Sequence, residues 1–329
     1  MTSVSKIMNP LWEGLTSRQK EVITGRFGLE KFNEPQTLAA LGAKYGVTRE
    51  RVRQIEASAL TELRTKINVD PTTQEVVNRC RKFLKESGGV AREEALLANI
   101  NTTVDGVTEN HLNLLLEASR AFYRHPENKS FWSFYYLDKE SLKMATSFIS
   151  QWTSYLRNKK AETLEGKYRE QLASFLKKSG IATSQAETYL GISKKIATNP
   201  YSDTGLTEWP EIQPRTVRDR IYLALKKSGE PLHFRTIATL INKVGFSARP
   251  ASAPTVHNEL IKDNRFVLVG RGTYGLAEHG YEPGTAREVI HRILKTQGAL
   301  RPKEVMLAVQ KERFFKPNTI LVSPRCRRS

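Results

Sequence analysis

The sequence is poor in cysteine and has no long apolar run. Its 329 residues include two cysteines, Cys80 and Cys326, which lie far apart and form no C-x-x-C pair. This excludes a disulfide framework and a zinc ribbon, and it fits a reducing compartment. No run approaches the ~18 apolar residues of a membrane span, and the first residues have no apolar core typical of a signal peptide. The sequence therefore predicts a soluble, cytoplasmic protein without a membrane partner.

Acidic residues are also few relative to basic ones. The chain has 52 Lys and Arg residues against 34 Asp and Glu, which gives a net charge of +18. An excess of this size favours a polyanionic partner, usually nucleic acid and more rarely a membrane surface, although an ordinary basic protein is the alternative.

The sequence also lacks the residue groups that catalysis and metal binding require. The six histidines are scattered, with no H-x-x-x-H pattern and no neighbouring cysteine, so no metal site is predicted. No carboxylate cluster or nucleophile constellation supports catalysis. We therefore expect no catalytic residues, no cofactor and no small-molecule substrate, and we expect that the protein is not an enzyme.

What the chain does contain is a series of helical patterns of about 10–15 residues, broken by Gly, Pro, Asn and Asp. A helix end of the form Leu-Lys-x-x-Gly recurs at residues 84–88, 176–180, 225–229 and 294–298. Lys in the last turn and Gly after it are typical of helix C-termini. The pattern predicts a mainly α chain of tandem helix-turn-helix and winged-helix domains with short β-hairpin wings. The expected domains are residues 1–70, 71–137, 138–209, 210–282 and 283–329.

Residues 37–63 have the pattern of a helix-turn-helix. Thr37 is expected to cap a short helix that begins at Leu38, and Gly46 supplies a turn with a left-handed backbone. Thr48 is expected to cap a second helix that runs to about Leu63. This order is typical of a DNA-binding helix-turn-helix.

The second of these helices has two distinct faces. Its apolar face consists of Val52, Ile55, Ala59 and Leu63. The opposite face, near the helix N-terminus, consists of Arg49, Glu50, Arg53 and Gln54. Side chains at these positions enter the major groove in recognition helices, where Arg bonds guanine, Gln bonds adenine and Glu accepts from cytosine. Arg51 lies off this line, within reach of a phosphate. An ordinary solvated, charged helix face is the alternative.

The amino-acid sequence of residues 15–57 resembles region four of sigma-70-type principal sigma factors. Residues 48–57, Thr-Arg-Glu-Arg-Val-Arg-Gln-Ile-Glu-Ala, match its recognition helix almost letter for letter, and residues 15–23, 26–29 and 37–42 are similar in the same order. The resemblance implies binding of a minus-35 promoter element. It implies base contacts by Arg49, Glu50, Arg53 and Gln54, and phosphate contacts by Arg18, Arg26, Thr37 and Leu38, the last through its backbone.

The chain also departs from that family. Ser58 stands where the family often has Lys or Arg, which removes one phosphate contact. Nothing downstream resembles region two, the part that melts the minus-10 element, and only about 14 residues precede the match. We therefore expect that the chain does not initiate transcription alone. Because region four also docks on RNA polymerase, the resemblance implies polymerase core as a partner besides double-stranded promoter DNA.

Residues 215–277 form a second informative block. Helices are predicted at residues 217–227, at 235–244 and from Thr255 onward, followed by a hairpin of residues 266–269 and 273–276. Three helices and a hairpin predict a winged helix. Residues 231–234, 255–260 and 265–276 resemble the HARE-type helix-turn-helix domain, which is also found in the RNA polymerase delta subunit. The resemblance implies contact with DNA or polymerase, and Arg271 at the hairpin tip is a candidate phosphate or minor-groove contact.

A glycine pattern within this hairpin has a second interpretation. Gly270, Gly272 and Gly275 satisfy G-x-G-x-x-G, but a nucleotide site needs a helix next, and none is predicted there.

Two further stretches give weaker signals. An aromatic run could stack on unpaired bases, although burial in a small core is favoured; it consists of Phe122, Tyr123, Phe131, Trp132, Phe134, Tyr135 and Tyr136. Residues 286–295 and 303–311 begin another winged-helix pattern that stops after residues 318–321, so this unit is either degenerate or truncated. The basic tail, residues 323–329, is expected to add nonspecific DNA affinity.

Together these patterns predict a sequence-specific transcription factor that resembles the minus-35-recognising part of a sigma factor and acts with RNA polymerase in initiation. Two alternatives stay open: a promoter-binding regulator independent of polymerase, and an architectural protein that binds DNA without sequence choice.

Overall fold

The computed structural model describes residues 2–30, 34–246, 249–282, 284, 286–298 and 300–312. The predictions for residues 318–321, for the basic tail and for Cys326 lie outside these residues. The chain divides into two compact units, Met1–Ile196 and Ala197–Ser329. The finer division into five domains stays a prediction.

The first unit is mostly helical, with short strands between its helices. Its helices are α1 (Val4–Trp12), α2 (Ser17–Phe27), α3 (Leu38–Tyr45), α4 (Arg49–Val69), α5 (Pro71–Glu86), α6 (Glu93–Asn101), α7 (Glu109–Ser119), α8 (Lys139–Asn158), the single turn α9 (Lys160–Glu162), a π-helical turn (Thr163–Lys167), α10 (Tyr168–Ser179) and α11 (Thr183–Gly191). Its strands are β1 (Thr2–Ser3), β2 (Val90–Arg92), β3 (Val104–Asp105), β4 (Tyr123–His125) and β5 (Phe134–Tyr136).

The helix-turn-helix signals are confirmed by α3 and α4. The Thr37 hydroxyl accepts a hydrogen bond from the backbone N–H of Ala40 at 3.2 Å, so it caps α3. The Thr48 hydroxyl likewise accepts from Arg51 N–H at 3.2 Å and caps α4. Gly46 lies between them with φ of 65°, in the left-handed region.

The helix α4 is longer than the pattern predicted, because it runs to Val69 rather than to about Leu63. Its second half is held by contacts from outside the helix-turn-helix. Leu63 and Ile67 are buried in a core to which α1, α5 and α7 also contribute, and the Arg64 Nε donates to the Ala118 carbonyl at 3.1 Å. One core therefore joins the helix-turn-helix to residues 71–137.

A three-stranded antiparallel sheet lies beside this core, in the order β2–β5–β4. Tyr135 faces the core shared with α4, whereas Phe134 and Val90 face a second core formed with α8 and α11. The expected burial is confirmed for Phe122, Phe134 and Tyr135, and Phe131 and Tyr136 are half-buried against the second core. Tyr123 and Trp132 are the exceptions, with 54% and 36% of their surface exposed.

The second unit is also mainly helical. A hairpin of β6 (Ile196–Thr198) and β7 (Thr204–Leu206) lies at its start, followed by α12 (Val217–Ser228), β8 (Leu232–His233), α13 (Phe234–Val244), α14 (Ala253–Lys262), β9 (Phe266–Gly270) and β10 (Thr273–Leu276). Then come a 3₁₀ turn (Ala277–His279), α15 (Ala286–Gln297) and α16 (Pro302–Glu312).

The predicted helices and hairpin of residues 215–277 are confirmed, and β8 adds a third strand in the order β8–β10–β9. Their core is formed by residues of α12, α13, α14 and the sheet, among them Ile221, Ile237, Val256 and Leu260. A 3₁₀ turn follows Gly275 where a nucleotide-binding glycine loop would lead into an α-helix.

The fold class is thus mainly α, as predicted, with small sheets that are antiparallel except for the parallel pair of β1 and β3. Two of the predicted helix-ending glycines, Gly180 and Gly229, have φ of 66° and 71° at the ends of α10 and α12. Within the ranges that the structure describes, no helix combines the length and the apolar character needed to cross a bilayer.

Candidate nucleic-acid interface

Two glycines whose role was not predicted from the sequence, Gly25 and Gly42, shape the helix-turn-helix. A Cβ on Gly42 would lie 2.8 Å from the Val47 carbonyl oxygen, and a Cβ on Gly25 would lie 2.8 Å from the Leu41 side chain. At Gly42 the close atom is backbone, so only glycine allows this tight turn into α4, whereas a Cβ at Gly25 would force the Leu41 side chain to move. A glycine within a helix pattern, where it costs stability, was the signal for both.

A small apolar core fixes the rotation of α4. Val22 of α2, Leu41 of α3 and Val52 of α4 are fully buried against each other, and Ile55 packs beside them. Because Val52 and Ile55 point inward, the residues between and before them point to solvent.

The four predicted base-contacting residues, Arg49, Glu50, Arg53 and Gln54, are all exposed on the first two turns of α4. Arg53 donates from Nε and Nη2 to the Glu50 carboxylate at 2.9 and 2.6 Å. These hydrogen bonds hold the pKa of the Glu50 carboxyl below its usual value and raise the pKa of Arg53. Glu50 is therefore ionised, and it positions the Arg53 guanidinium along the exposed face.

Arg51 is closer to this group than the helical pattern suggested. Its Nη1 donates to Gln54 Oε1 at 3.2 Å, so its guanidinium leans toward the face that carries Gln54. The Gln54 side chain also hydrogen-bonds the Glu50 carboxylate and helps to lower its pKa. The assigned role of Arg51 at a phosphate stays a prediction.

The predicted phosphate contacts lie around this face. Arg18 donates to Glu21 at 3.1 Å, and its guanidinium carbon lies 4.4 Å from the centre of the Tyr45 ring. Thr37 and Leu38 are the cap and first residue of α3, where free backbone N–H groups and the helix dipole favour an anion.

Arg26 is bound more firmly within the domain than Arg18, because its side chain makes two hydrogen bonds to other segments. Its Nε donates to Glu56 at 3.0 Å and its Nη1 donates to the Gln36 carbonyl at 3.1 Å. It therefore ties α2 to α4 and to the segment before α3, and a phosphate contact would compete with these bonds.

Ser58 has a structural partner in the place where the family often has a cation. Gln19 Nε2 lies 3.4 Å from the Ser58 hydroxyl and donates to Glu62 at 2.8 Å, so this position joins α2 to α4.

In the second unit, Arg271 is exposed between β9 and β10, next to Gly272 with φ of 70°.

Comparison with known proteins agrees with this geometry over the helix-turn-helix. The family model described as "Sigma-70, region 4" matches residues 13–65. Those residues form a sigma-70 region 4 domain. Its helices are α2, α3 and most of α4, and the residues singled out by the sequence resemblance lie within it.

Two sigma factors are similar to part of the chain. The RNA polymerase sigma factor RpoD of Neisseria gonorrhoeae is 41% identical over 83 residues, which are 25% of this chain and 12% of that protein. The RNA polymerase sigma factor RpoS of Coxiella burnetii is 48% identical over 63 residues, 19% of this chain and 18% of that protein. The chain thus spans less than a fifth of either relative. No solved structure matches it.

No group of three or more metal-ligating side chains occurs among the described residues.

Proposed function

We propose that the protein is a sequence-specific DNA-binding transcription factor that reads a minus-35-like promoter element through the first two turns of α4. The observation that carries this proposal is the exposed row of Arg49, Glu50, Arg53 and Gln54 on a capped helix of the region 4 domain. Such side chains at a helix N-terminus suit the base edges of the major groove.

We further propose that the protein acts in initiation together with RNA polymerase core. The sigma-factor relatives support this partner. A regulator that binds promoters without polymerase is the second candidate, and one feature favours it. The inner face of α4, with Leu63 and Ile67, is covered by α1, α5 and α7 of the same chain, so it is not open to another protein.

Residues 210–282 are proposed to be a HARE-type winged helix that holds neighbouring DNA or polymerase. The order of three helices and a three-stranded sheet supports this assignment. The exposed Arg271 between β9 and β10 is the candidate contact of its wing.

The test is selection from random duplex DNA by the full-length protein, with and without RNA polymerase core, at about 150 mM salt because low salt exaggerates nonspecific binding. Enrichment of one sequence supports the reading role of α4. Stronger enrichment in the presence of core supports the initiation role, whereas equal enrichment supports the independent regulator. Binding without enrichment in either case contradicts sequence choice and indicates an architectural protein.

A further inference from the structure

Two grooves in the first unit meet at Arg120, away from the exposed face on the first turns of α4. The first groove, of about 370 Å³, lies where α4, α5 and the end of α7 come together. It is lined by Ile67, Asn68, Gln74, Val77, Asn78, Arg81, Ser119, Arg120 and Ala121. These residues include two arginines and three carboxamides but no carboxylate, so this groove suits an anion that also offers hydrogen-bonding groups.

The second groove, of about 490 Å³, continues from Arg120 along the edge of the sheet. It is lined by Asn113, Leu116, Glu117, Arg120, Phe122, Tyr123, Arg124 and Tyr135. Tyr123 is 54% exposed, and its ring stacks on Tyr136 with the ring centres 5.3 Å apart and the planes inclined by 21°. Both rings lie on the sheet face opposite to Tyr135 and Arg124, so Tyr123 borders the second groove at the free edge of β4. Tyr136 thus supports one face of the ring, and the exposed remainder is available for stacking.

Arg120 itself has an unusual backbone. It ends α7 with φ of 51°, in the left-handed region that glycine normally occupies at a helix end. A side chain there costs stability, and the Arg120 side chain is exposed between the two grooves. The neighbouring Arg81 is oriented by Asn78, to whose Oδ1 it donates at 3.3 Å, and it lies over the Phe122 ring.

We propose that these grooves bind single-stranded nucleic acid. Phosphates lie against Arg81 and Arg120, and the strand passes around the free edge of β4, where an unpaired base stacks on the exposed ring of Tyr123. Glu117, one turn before Arg120 on α7, also lines the second groove, so the phosphates keep to the first groove, which has no carboxylate. An acidic peptide would use the arginines equally well but has no use for a supported, exposed aromatic ring, which is why the arrangement favours bases.

This site is distinct from the duplex-reading face. Fifteen residues of α4 separate Arg53 from Asn68, which is about 22 Å along the helix axis. A straight duplex seated on Arg49 and Arg53 therefore does not occupy both surfaces, and the two activities can be separated by mutation.

The test measures binding of a fluorescent 12-nucleotide oligothymidine to the full-length protein by anisotropy at about 150 mM salt. Tyr123→Ala is expected to weaken binding roughly tenfold, whereas Tyr123→Phe keeps the stacking ring and stays within about twofold of wild type. Arg120→Gly removes the guanidinium but places glycine where the backbone prefers it. It is expected to weaken binding about fivefold without lowering the melting temperature.

Lys82→Ala is the matched control, because it removes an equal charge from an exposed position of α5 outside both grooves. It should change binding by less than about twofold. Arg53→Ala should leave oligothymidine binding intact even if it abolishes duplex recognition, so failure of the duplex proposal and failure of this one are distinguishable.

Three outcomes overturn the proposal. In one, Tyr123→Ala and Arg120→Gly bind oligothymidine as well as the control variant does. In another, they weaken duplex binding to the same extent as single-strand binding. In the third, Arg120→Gly weakens binding of both oligothymidine and an oligoglutamate peptide while Tyr123→Ala affects neither, which would identify an acidic-peptide site.

Discussion

Each unit of the molecule carries a helical domain whose last helix exposes one face, but the two faces differ in charge. The region 4 domain exposes Arg49, Arg51 and Arg53 on the first turns of α4. In the domain formed by α12, α13, α14 and their sheet, Arg218 instead pairs with Glu259 at 2.9 Å. Arg265 pairs there with Asp263 at 2.7 Å.

The exposed face of α14 has little charge of its own. It presents Thr255, Asn258 and Ile261, and 63% of the Ile261 surface is exposed. The net charge of the chain therefore does not by itself identify a DNA-reading helix. What distinguishes α4 from α14 is that its cations lie on the first turns of an exposed helix face, where they suit base edges.

The two domains also differ in what supports them. The core of the region 4 domain extends through α5 and α7 to residue 135. Among the described residues, the core of the second domain is formed by the shorter stretch from Val217 to Leu276. We therefore expect the first domain to depend on distant parts of the chain and the second to be locally self-sufficient.

The largest expected effect is on the free energy of unfolding, and it tests whether the core of the first domain extends further along the chain than that of the second. Leu63→Ala empties a fully buried position and should lower the free energy of unfolding by about 2–5 kcal/mol. Hydrogen exchange should show loss of protection in α7 as well as in α4, because both helices line one core. Leu260→Ala, at an equally buried position of α14, should affect the second unit only. Unchanged protection in α7 after Leu63→Ala would contradict a shared core.

The next largest effect is expected on the discrimination between different DNA sequences. Arg53→Ala and Gln54→Ala should each reduce discrimination between the selected duplex and a scrambled one by about 1–3 kcal/mol, since each removes a base contact. Asn258→Ala on α14 should leave discrimination unchanged. Competitive binding titrations with the two duplexes measure both quantities.

Arg18→Ala is the control for that experiment, because a phosphate contact weakens all sequences alike. If Arg18→Ala and Arg53→Ala behave identically, then α4 is not the reading helix.

A smaller effect is expected to distinguish Arg51, whose described partner is the uncharged Gln54, from an arginine that pairs with carboxylates. Arg51→Ala should reduce the slope of log affinity against log salt concentration by about 0.9, as expected for one lost phosphate contact. Arg218→Ala should leave the slope unchanged, because Glu259 and Asp263 already neutralise its charge. Equal slopes for both variants would show that pairing does not decide which cations meet DNA.

The smallest effect is a pH dependence of the second unit. Arg265 hydrogen bonds lower the pKa of the Asp263 carboxyl below its ordinary value of 3.8. The pair therefore stabilises the fold above about pH 4 and loses this contribution as the pH falls through the lowered pKa. The difference in melting temperature between wild type and Asp263→Asn should be about 1–3 °C at pH 5 and should shrink toward pH 3. A difference that stays constant would indicate that the aspartate acts through its shape and not through its charge.

Local signals made much of the fold predictable from sequence. Thr37, Thr48 and Gly46 each act on the few residues beside them, so caps and the turn were identified correctly. The hairpin of β9 and β10 is local in the same way. Within the region 4 domain the exposed row on α4 followed from helical spacing alone.

Long-range contacts were not predictable. Nothing near Thr2 indicates that β1 pairs in parallel with β3 at Val104, and nothing near Gly28 indicates that its carbonyl accepts from Asn110. The same holds for the candidate site. The Glu56 partner of Arg26 and the groove residues around Arg120 come from segments brought together only by the tertiary fold.

The shared core also determines when the region 4 domain can finish folding during translation. Leu63 and Ile67 need α7 and the sheet, up to about residue 137, before their apolar surface is covered. At 5–20 residues per second, translation of the intervening segment takes roughly 4–15 s. During that interval the nascent region 4 domain presents a bare apolar flank beside a strongly cationic helix. During this time the nascent chain can be bound by chaperones, and it can bind nucleic acid before it has finished folding.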